Sequence, residues 1–388
     1  MELTAHTEAG TRLVVLAETL AADLATRAEE HDRTASYPHA GVAALKAAGY
    51  FAAPVPAELG GMGVTSLHDL VVAASRLARG DASLAIGVNM HMAVLSNVVR
   101  RWQAAQRAGD ARRAAAFGRT LRAVAEGGEV IATAVSEPGQ DLTRPATTAT
   151  RTSTGWRIEG RKIFCTMSPA ATVLYTTVLF ADEDGRERYG FARVPADAPG
   201  MTIHDDWDAL GMRASGSNSV TFDGVELPEP ALRGGFPAGV ATPYMDTNLS
   251  AGLFHASASL GDAEQAQRSV TAGLAARPAV EARGRGQTLV AESAIALVAC
   301  RGALSRSATL VEDHHAREEG AEDPGRLTTL FAEVQATKAF VNEAAVRVVD
   351  QALALSGGAG YRSGHPLGAN RAYDFVGSVA LGREPSLH

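Results

Sequence analysis

Thiol and imidazole side chains are the first candidates for chemistry in this sequence, and their spacing limits what they can do. The two cysteines, Cys165 and Cys300, lie far apart and form no C-x-x-C pair, so neither a disulfide framework nor a thiolate zinc site is predicted. His314 and His315 follow two acidic residues, but neighbouring side chains on a helix point about 100° apart. We expect this pair to form a solvated helix face, and we predict no metal site.

A glycine-rich bend is the second candidate. Gly357, Gly358 and Gly360 follow a helical pattern, and the missing Cβ atoms let the backbone approach a ligand or another chain closely. A glycine that simply ends a helix explains the same residues equally well. No G-x-G-x-x-G fingerprint is found, so a nicotinamide dinucleotide site is not predicted.

Hydrophobic periodicity divides the chain into three parts that must position these residues. Residues 1–128 carry apolar residues at three- and four-residue steps, which is typical of amphipathic helices. Residues 129–235 contain short β-rich runs separated by turn signals, which predicts a compact antiparallel β domain. Residues 236–388 return to long alanine-rich helices that suit a four-helix bundle. The predicted fold class is therefore α+β, and segment 228–243, with four prolines and three glycines, is expected to be a connector.

Charge and hydropathy exclude several classes of partner. The chain has 388 residues, with 36 Lys+Arg against 43 Asp+Glu and a net charge of −7, which argues against nucleic acid or an anionic membrane as the partner. The most membrane-like stretch, 82–99, is interrupted by Asn89, His91 and Asn97, which would be costly in hydrocarbon. With no apolar leader at its start and few cysteines, the chain is predicted to be soluble and cytoplasmic. Only three of the basic residues are lysines, and we infer no function from that.

Five stretches that follow one another along the chain resemble a known family. They are PVPAELGGMG (54–63), AVSEPGQDL (134–142), GWRIEGRKIFCTMSP (155–169), ALGMRASGSNSVTFDGVELPEPAL (209–232) and SGGAGY (356–361). In this order the chain resembles the acyl-CoA dehydrogenase superfamily over nearly its whole length. The resemblance implies a homodimeric or homotetrameric flavoprotein. Members of that family dehydrogenate acyl thioesters between Cα and Cβ, and one branch consists of monooxygenases that use reduced flavin and oxygen.

The resemblance also implies which residues hold the flavin, FAD or FMN. Thr133, Val135 and Ser136 match the family's Thr/Ser-Glu-Pro segment, whose backbone amides and hydroxyl bond the flavin ring. Phe164 and Thr166 match the aromatic residue that covers the ring and the hydroxyl that bonds it. The remaining implied contacts are Gly357, Gly358 and Arg283 for the cofactor and Arg213 and Ser215 for the substrate.

The family's glutamate base is missing from both of its usual places. After the glycine bend the family has an Arg-Asp pair and then the glutamate, whereas here HPLGANRAYDF follows almost at once and His365 stands where the base would be. The second place, near the start of the first bundle helix, offers His255. His91 matches a place where the monooxygenase branch has a polar residue near the flavin. We therefore predict these three histidines as catalytic, because an imidazole with a pKa of about 6.5 can donate or accept a hydrogen bond beside a flavin.

These expectations slightly favour a two-component monooxygenase of a small molecule, supplied with reduced flavin by a separate reductase. One alternative is an acyl-CoA or carrier-bound acyl dehydrogenase that passes electrons to an acceptor and uses histidine or Glu384 as an unusual base. A third possibility is a flavin-free descendant that only binds a ligand. Uptake of flavin by the purified protein separates the third from the other two.

Overall fold

Five helices form the N-terminal part of the computed structural model, which describes residues 2–139, 141–275, 284–317 and 323–362. Four of these helices begin at side chains that accept a hydrogen bond from a backbone N–H in the first turn, Thr7, Ser66, Asp81 and Asp110. The third helix is buried along its whole length and is the centre of this part. The five are α1 (Glu8–Thr34), α2 (His39–Ala47), α3 (Leu67–Ala78), α4 (Ala82–Arg107) and α5 (Ala111–Ala125).

Eight strands form a single sheet in the middle of the chain. In sheet order β6-β7-β3-β2-β4-β5-β8, with β1 beside β4, most neighbours are antiparallel as predicted. The expectation of a purely antiparallel domain is wrong in one place, since β1 and β2 both pair in parallel with β4. The strands are β1 (Ile131–Ala134), β2 (Thr148–Arg151), β3 (Gly155–Cys165), β4 (Val173–Ala181), β5 (Glu187–Pro195), β6 (Met201–Ile203), β7 (Asn218–Pro228) and β8 (Leu232–Pro237).

The parallel pairs have a simple geometric cause. β1 pairs with the first half of β4 and β2 with Leu179 near its end, so the two short strands follow one another along the same edge. Between them the chain leaves the sheet as the β1–β2 loop, residues 135–147. Parallel strands need a longer connection than a tight hairpin, and here β3 lies in the chain between β4 and both of its parallel partners.

Three long helices follow the sheet: α6 (Thr242–Ala275), α7 (Arg285–His315) and α8 (Pro324–Ser356). They account for three helices of the predicted four-helix bundle, and residues 363–388 lie outside the described part. α6 packs against α3 and α4 as well as against α7 and α8. One apolar core therefore runs through both helical parts, whereas the sheet has a core of its own.

A buried ionic cluster joins the two helical parts around Glu264 of α6. This carboxylate is 1% exposed and lies 3.3 Å from Arg76 on α3 and 2.6 Å from Arg79, the residue that follows α3. Arg301 of α7 completes the cluster at 2.7 Å. Because a buried carboxylate is costly unless it is paired and hydrogen-bonded, the three arginines fix the relative positions of α3, α6 and α7.

Two helices, α4 and α7, are long and apolar enough to cross a membrane on length and composition alone. The apolar window of α4 is 83% buried within the fold, and its polar residues bond inside it. The amides of Asn89 and Asn97 donate to the carbonyl oxygens of Phe254 (2.8 Å) and Thr247 (2.7 Å) on α6. α4 is thus a core helix, while α7 leaves most of its apolar surface uncovered.

Candidate functional site

The end of the sheet where β1 and β3 finish gathers several of the predicted flavin residues. Thr133 lies in β1, Val135 and Ser136 begin the β1–β2 loop, and Phe164 lies next to the last residue of β3. The Ile163 N–H donates to the carbonyl oxygen of Ser136 at 2.9 Å, which holds the start of the loop against β3. Sheet pairing therefore brings together two stretches of sequence that are almost thirty residues apart.

Backbone strain is concentrated at this end of the sheet. Phe164, Met167 and Met212 have φ values of 55°, 68° and 52°, a left-handed conformation that costs a bulky residue on the order of 1–3 kcal/mol and tends to cluster at functional sites. The Phe164 side chain is left 42% exposed, with its ring centroid 6.0 Å from that of Trp207 in an edge-on contact. The strained turn thus displays an aromatic face to solvent.

A chain of hydroxyl groups lies beside this aromatic face. Thr166 Oγ1 is 3.0 Å from Ser217 Oγ, which is in turn 2.6 Å from the buried Ser215 Oγ. The Met167 N–H donates to the Ser215 carbonyl oxygen at 3.0 Å and locks the two loops together. Thr166 and Ser215, predicted for cofactor and substrate, are thus joined through Ser217. Ser217 was missed, although the alternating serines before β7 are a visible signal.

A buried ion pair between Lys162 and Glu137 holds the two ends of the β1–β2 loop against the sheet. Lys162 Nζ donates to Glu137 Oε1 at 2.6 Å and to Thr177 Oγ1 at 3.0 Å, and both charged side chains are buried. Glu137 also accepts hydrogen bonds from the backbone N–H groups of Ala146 (2.6 Å) and Thr147 (2.8 Å). The two ends of the loop are therefore tied to one carboxylate.

The environment lowers the pKa of both members of the pair. Burial acts to raise the pKa of Glu137, but the hydrogen bonds from Lys162 and Thr147 outweigh it and hold that pKa below its ordinary value. Burial lowers the pKa of Lys162, and Glu137 opposes that shift. One of the few lysines in the chain is thus committed to positioning the loop, which its rarity alone did not indicate.

His91 lies behind β1, in the helical core. It is fully buried; its Nδ1 accepts a hydrogen bond from the Ile131 N–H at 3.0 Å, and its Nε2 lies 3.0 Å from the Phe51 carbonyl oxygen. Burial lowers the pKa of His91 to about 4. Both ring nitrogens are engaged by backbone groups, which favours a role in positioning β1 over the predicted role in catalysis.

His255 is half-buried on α6 and faces a different set of groups. Burial, and then the charge of Lys338 on α8, lower the pKa of His255 to about 3, so the imidazole is neutral near pH 7. The preceding carbonyl, that of Phe254, accepts the hydrogen bond from Asn89. Within the described part of the chain the buried Oδ1 of Asn89 has no hydrogen-bond partner. The contact between α4 and α6 thus leaves one free amide oxygen on Asn89, whereas the neutral imidazole of His255 lies near Lys338 of α8.

The other described residues predicted to bind cofactor or substrate do not form part of the strand-end site. Arg213 donates from Nε to the Asp32 carbonyl oxygen (2.8 Å) and from Nη1 to that of Ala209 (3.1 Å), so its guanidinium ties the loop to the end of α1. Gly357 and Gly358 end α8 with open space beside both Cα atoms. Two further predicted residues, His365 and Arg283, lie outside the described residues.

Each of the three parts of the chain matches a family model. Residues 14–109 match the acyl-CoA dehydrogenase N-terminal domain, residues 132–225 the middle domain and residues 249–377 the C-terminal domain. The chain therefore belongs to the acyl-CoA dehydrogenase family, as its motifs predicted, and is a flavin-dependent oxidoreductase of that family.

Similar proteins narrow the comparison within the family. L-Evernosamine nitrososynthase of Micromonospora sp. is 32% identical over 93% of this chain and 84% of its own length. Amino sugar nitrososynthase DnmZ of Streptomyces peucetius is 31% identical over 97% of this chain and 95% of its own. The structure of KijD3 in complex with FMN and dTDP-3-amino-2,3,6-trideoxy-4-keto-3-methyl-D-glucose gives a TM-score of 0.85 at 29% identity, covering 99% of this chain and 97% of that one.

Proposed function

We propose that this protein is a flavin-dependent N-oxygenase that oxidises the amino group of a nucleotide-linked amino sugar. The observation that carries the proposal is the match to amino sugar nitrososynthases over nearly the full length of both chains. The KijD3 complex adds a solved example of this fold with FMN and a dTDP-linked amino sugar. The proposal keeps the expected monooxygenase mode and gives it a substrate class.

The strand-end site fits a flavin ring. Phe164 offers an exposed aromatic face, and the hydroxyl chain ending at Thr166 offers a donor at its edge. Ser136 and Thr133 add hydroxyls at the neighbouring strand end, so we assign these four residues, with the backbone at Val135, to the flavin, and FMN as its form. When bound, reduced flavin would supply two electrons and activate oxygen.

Oxidation of an amine balances with this cofactor. One atom of O₂ joins the nitrogen of R–NH₂ to give R–NHOH, and the other leaves as water with two electrons and two protons. The amine must be unprotonated to react, so the site needs a neutral acceptor for its N–H. His255 is such an acceptor near pH 7, and we assign it that role.

Acyl-CoA dehydrogenation is favoured less, because it needs a base for the α-proton. In the first half of α6, where some relatives have the glutamate, the only acidic residue is Asp246. Its Oδ2 accepts a hydrogen bond from Arg100 Nη2 at 2.5 Å, which holds it in an ion pair. N-oxygenation requires no such base, so a site with hydroxyls and a neutral imidazole suits it better.

Formation of an oxygenated product tests the proposal, because free reduced FMN consumes oxygen on its own. The full-length protein should convert a dTDP-linked amino sugar to its N-hydroxy product only when reduced FMN and oxygen are both supplied. Mass spectrometry should show a product one oxygen atom heavier than the substrate.

Phe164→Ala should weaken FMN binding about tenfold, the equivalent of about 1.4 kcal/mol of ring contact. The exposed Val15→Ala on α1 is the matched control and should leave it unchanged.

Three results would contradict the proposal, and each points elsewhere. Absence of an N-oxygenated product when reduced FMN, oxygen and the amino sugar are all supplied would exclude substrate oxygenation. Anaerobic bleaching of bound oxidised flavin by an acyl thioester would establish a dehydrogenase instead. A colourless protein that takes up neither FMN nor FAD would support the flavin-free alternative.

A further inference from the structure

Three potential metal ligands converge where the start of α6 meets the end of α7. The prediction that His314 and His315 form a solvated helix face is wrong, since their side chains are only 21% and 20% exposed. Both imidazoles turn toward Asp246 of α6, because the start of α6 packs against the last turn of α7. Sequence spacing could not reveal a partner nearly seventy residues away.

The distances within this group approach those of a coordination sphere. His314 Nε2 lies 3.5 Å and His315 Nε2 3.9 Å from the same oxygen, Asp246 Oδ1. The ligand atoms of all three residues lie within 4.8 Å of one another. Ligands about 2.0–2.1 Å from a tetrahedral zinc ion are separated by about 3.4 Å, so small rotations of the two imidazoles would complete the geometry.

The other oxygen of Asp246 is already oriented. Arg100 Nη2 donates to Oδ2 at 2.5 Å, which leaves Oδ1 facing the two imidazoles. An outer-shell hydrogen bond of this kind commonly fixes a metal-ligating carboxylate. The arginine charge also opposes a cation, so we expect binding weaker than in a site built without it.

One ligand atom has no partner, and a cavity gives access to it. His315 Nε2 is buried and makes no hydrogen bond within the described part of the chain. His315 lines a cavity of about 510 Å³ together with Ser66, Ser96, Arg100 and Glu312. The cavity gives an ion a way in and has room for water as a fourth ligand.

A second histidine group differs in its carboxylate, Asp69, although His68 Nε2 there is also buried without a hydrogen-bond partner within the described part of the chain. Asp69 accepts hydrogen bonds at both oxygens, from the backbone N–H of His6 (2.7 Å) and from the backbone N–H (3.0 Å) and hydroxyl (2.6 Å) of Thr7. His68 stacks on His6 and bonds the same carboxylate. This group anchors the start of α1, and its carboxylate has no capacity left for an ion.

We propose that Asp246, His314 and His315 bind a divalent transition-metal ion, with zinc the best match to two imidazoles and one carboxylate. The ion would clip the start of α6 to the end of α7. None of the three residues is among those assigned to the flavin or the substrate, so the proposal does not depend on the proposed function.

Cobalt titration of the metal-free, full-length protein tests the site. One equivalent of Co²⁺ should produce the visible absorption of tetrahedral cobalt, and one equivalent of Zn²⁺ should abolish it. Asp246→Asn and His315→Gln should each weaken Co²⁺ binding by more than about tenfold. Loss of a residue that only supports a metal ligand already weakens binding by about tenfold or more, and loss of a ligand itself should cost at least as much. His39→Gln, which changes an exposed histidine on α2, is the matched control and should bind as the wild type does.

A thermal measurement supplies a second readout. Saturating Zn²⁺ should raise the melting temperature of the wild type by mass action and leave that of His315→Gln unchanged. If Asp246→Asn fails to fold by circular dichroism, His314→Gln takes its place. Absence of a stoichiometric cobalt spectrum would overturn the site, as would equal cobalt affinity in the wild type and the ligand variants.

Discussion

At the scale of single residues, His91 stands between two backbone groups. Because Nδ1 accepts from the Ile131 N–H, the proton of the neutral ring lies on Nε2, which donates to the Phe51 carbonyl oxygen. A second proton would set two N–H groups against each other in a buried place. Burial and geometry therefore agree in keeping this imidazole neutral.

We predict that His91 makes stability sensitive to acid. Its folded pKa, about 4, lies below the unfolded value of about 6.5, so the unfolded chain binds the proton first as the pH falls. The stability that neutral His91 contributes is present above pH 6.5 and is lost toward pH 4. Between about pH 7 and pH 5 the urea unfolding free energy of the wild type should fall by about 2 kcal/mol more than that of His91→Gln. His39→Gln should keep the wild-type slope, and equal slopes in the wild type and His91→Gln would contradict the assignment.

At the scale of elements, the β1–β2 loop depends on contacts outside its own sequence. Its start is bonded to β3 through Ser136, and its end is bonded to Glu137 through the N–H groups of Ala146 and Thr147. Lys162 of β3 neutralises that carboxylate from within the sheet. The β1–β2 loop, which supplies proposed flavin contacts, is thus held in place by the buried ion pair of Glu137 and Lys162.

We predict that breaking this pair destabilises the protein strongly, while replacing both partners does less harm. Glu137→Gln leaves the buried Lys162 charge without a counter-ion and should cost about 3–5 kcal/mol of unfolding free energy. Adding Lys162→Met should recover part of that loss. The control is Arg151→Met, which breaks an exposed pair with Glu229 and should cost less than about 1 kcal/mol. Additive effects of the two buried changes in urea unfolding would show that the residues do not act as a pair.

At the scale of the whole molecule, one apolar surface is left uncovered. Ile295 and Val298 lie three residues apart on α7 and are 71% and 55% exposed, and Phe340 on α8 is 42% exposed. Only 22% of the apolar window of α7 is buried in the single chain. Apolar surface of this kind commonly marks an interface between proteins, which agrees with the homo-oligomer that the family resemblance implies.

We predict that the full chain is a dimer or tetramer assembled through α7 and α8. Ile295→Glu combined with Val298→Glu should place two charges in the interface and reduce the mass measured by light scattering to that of one chain. Val15→Glu, at an exposed valine on α1, should keep the oligomer. A wild type that already has the mass of one chain, or a double variant that keeps the oligomer, would be incompatible with this interface.

The sequence pattern predicted the structure well where the residues of one helix or strand depend mainly on that element itself. Helical periodicity predicted the two helical parts, and ordered motifs predicted the family. The pattern was misleading at 228–243, where prolines and glycines predicted a connector. This segment instead contains β8, which is hydrogen-bonded to β5. The predicted boundary between residues 235 and 236 consequently falls inside that strand. Glycines and prolines are tolerated there because β8 lies at the edge of the sheet.

By itself the sequence determined the order of helices, strands and helices and the family, because periodicity and motifs are local properties, and it predicted most of the residues that we propose for the flavin. Only the tertiary structure decided which groups those residues meet. It buried His91 between backbone groups, paired Glu137 with Lys162, and turned His314 and His315 toward Asp246. Charge and hydrogen-bonding capacity belong to a residue type, but pKa, pairing and access depend on neighbours brought in by packing from distant parts of the chain.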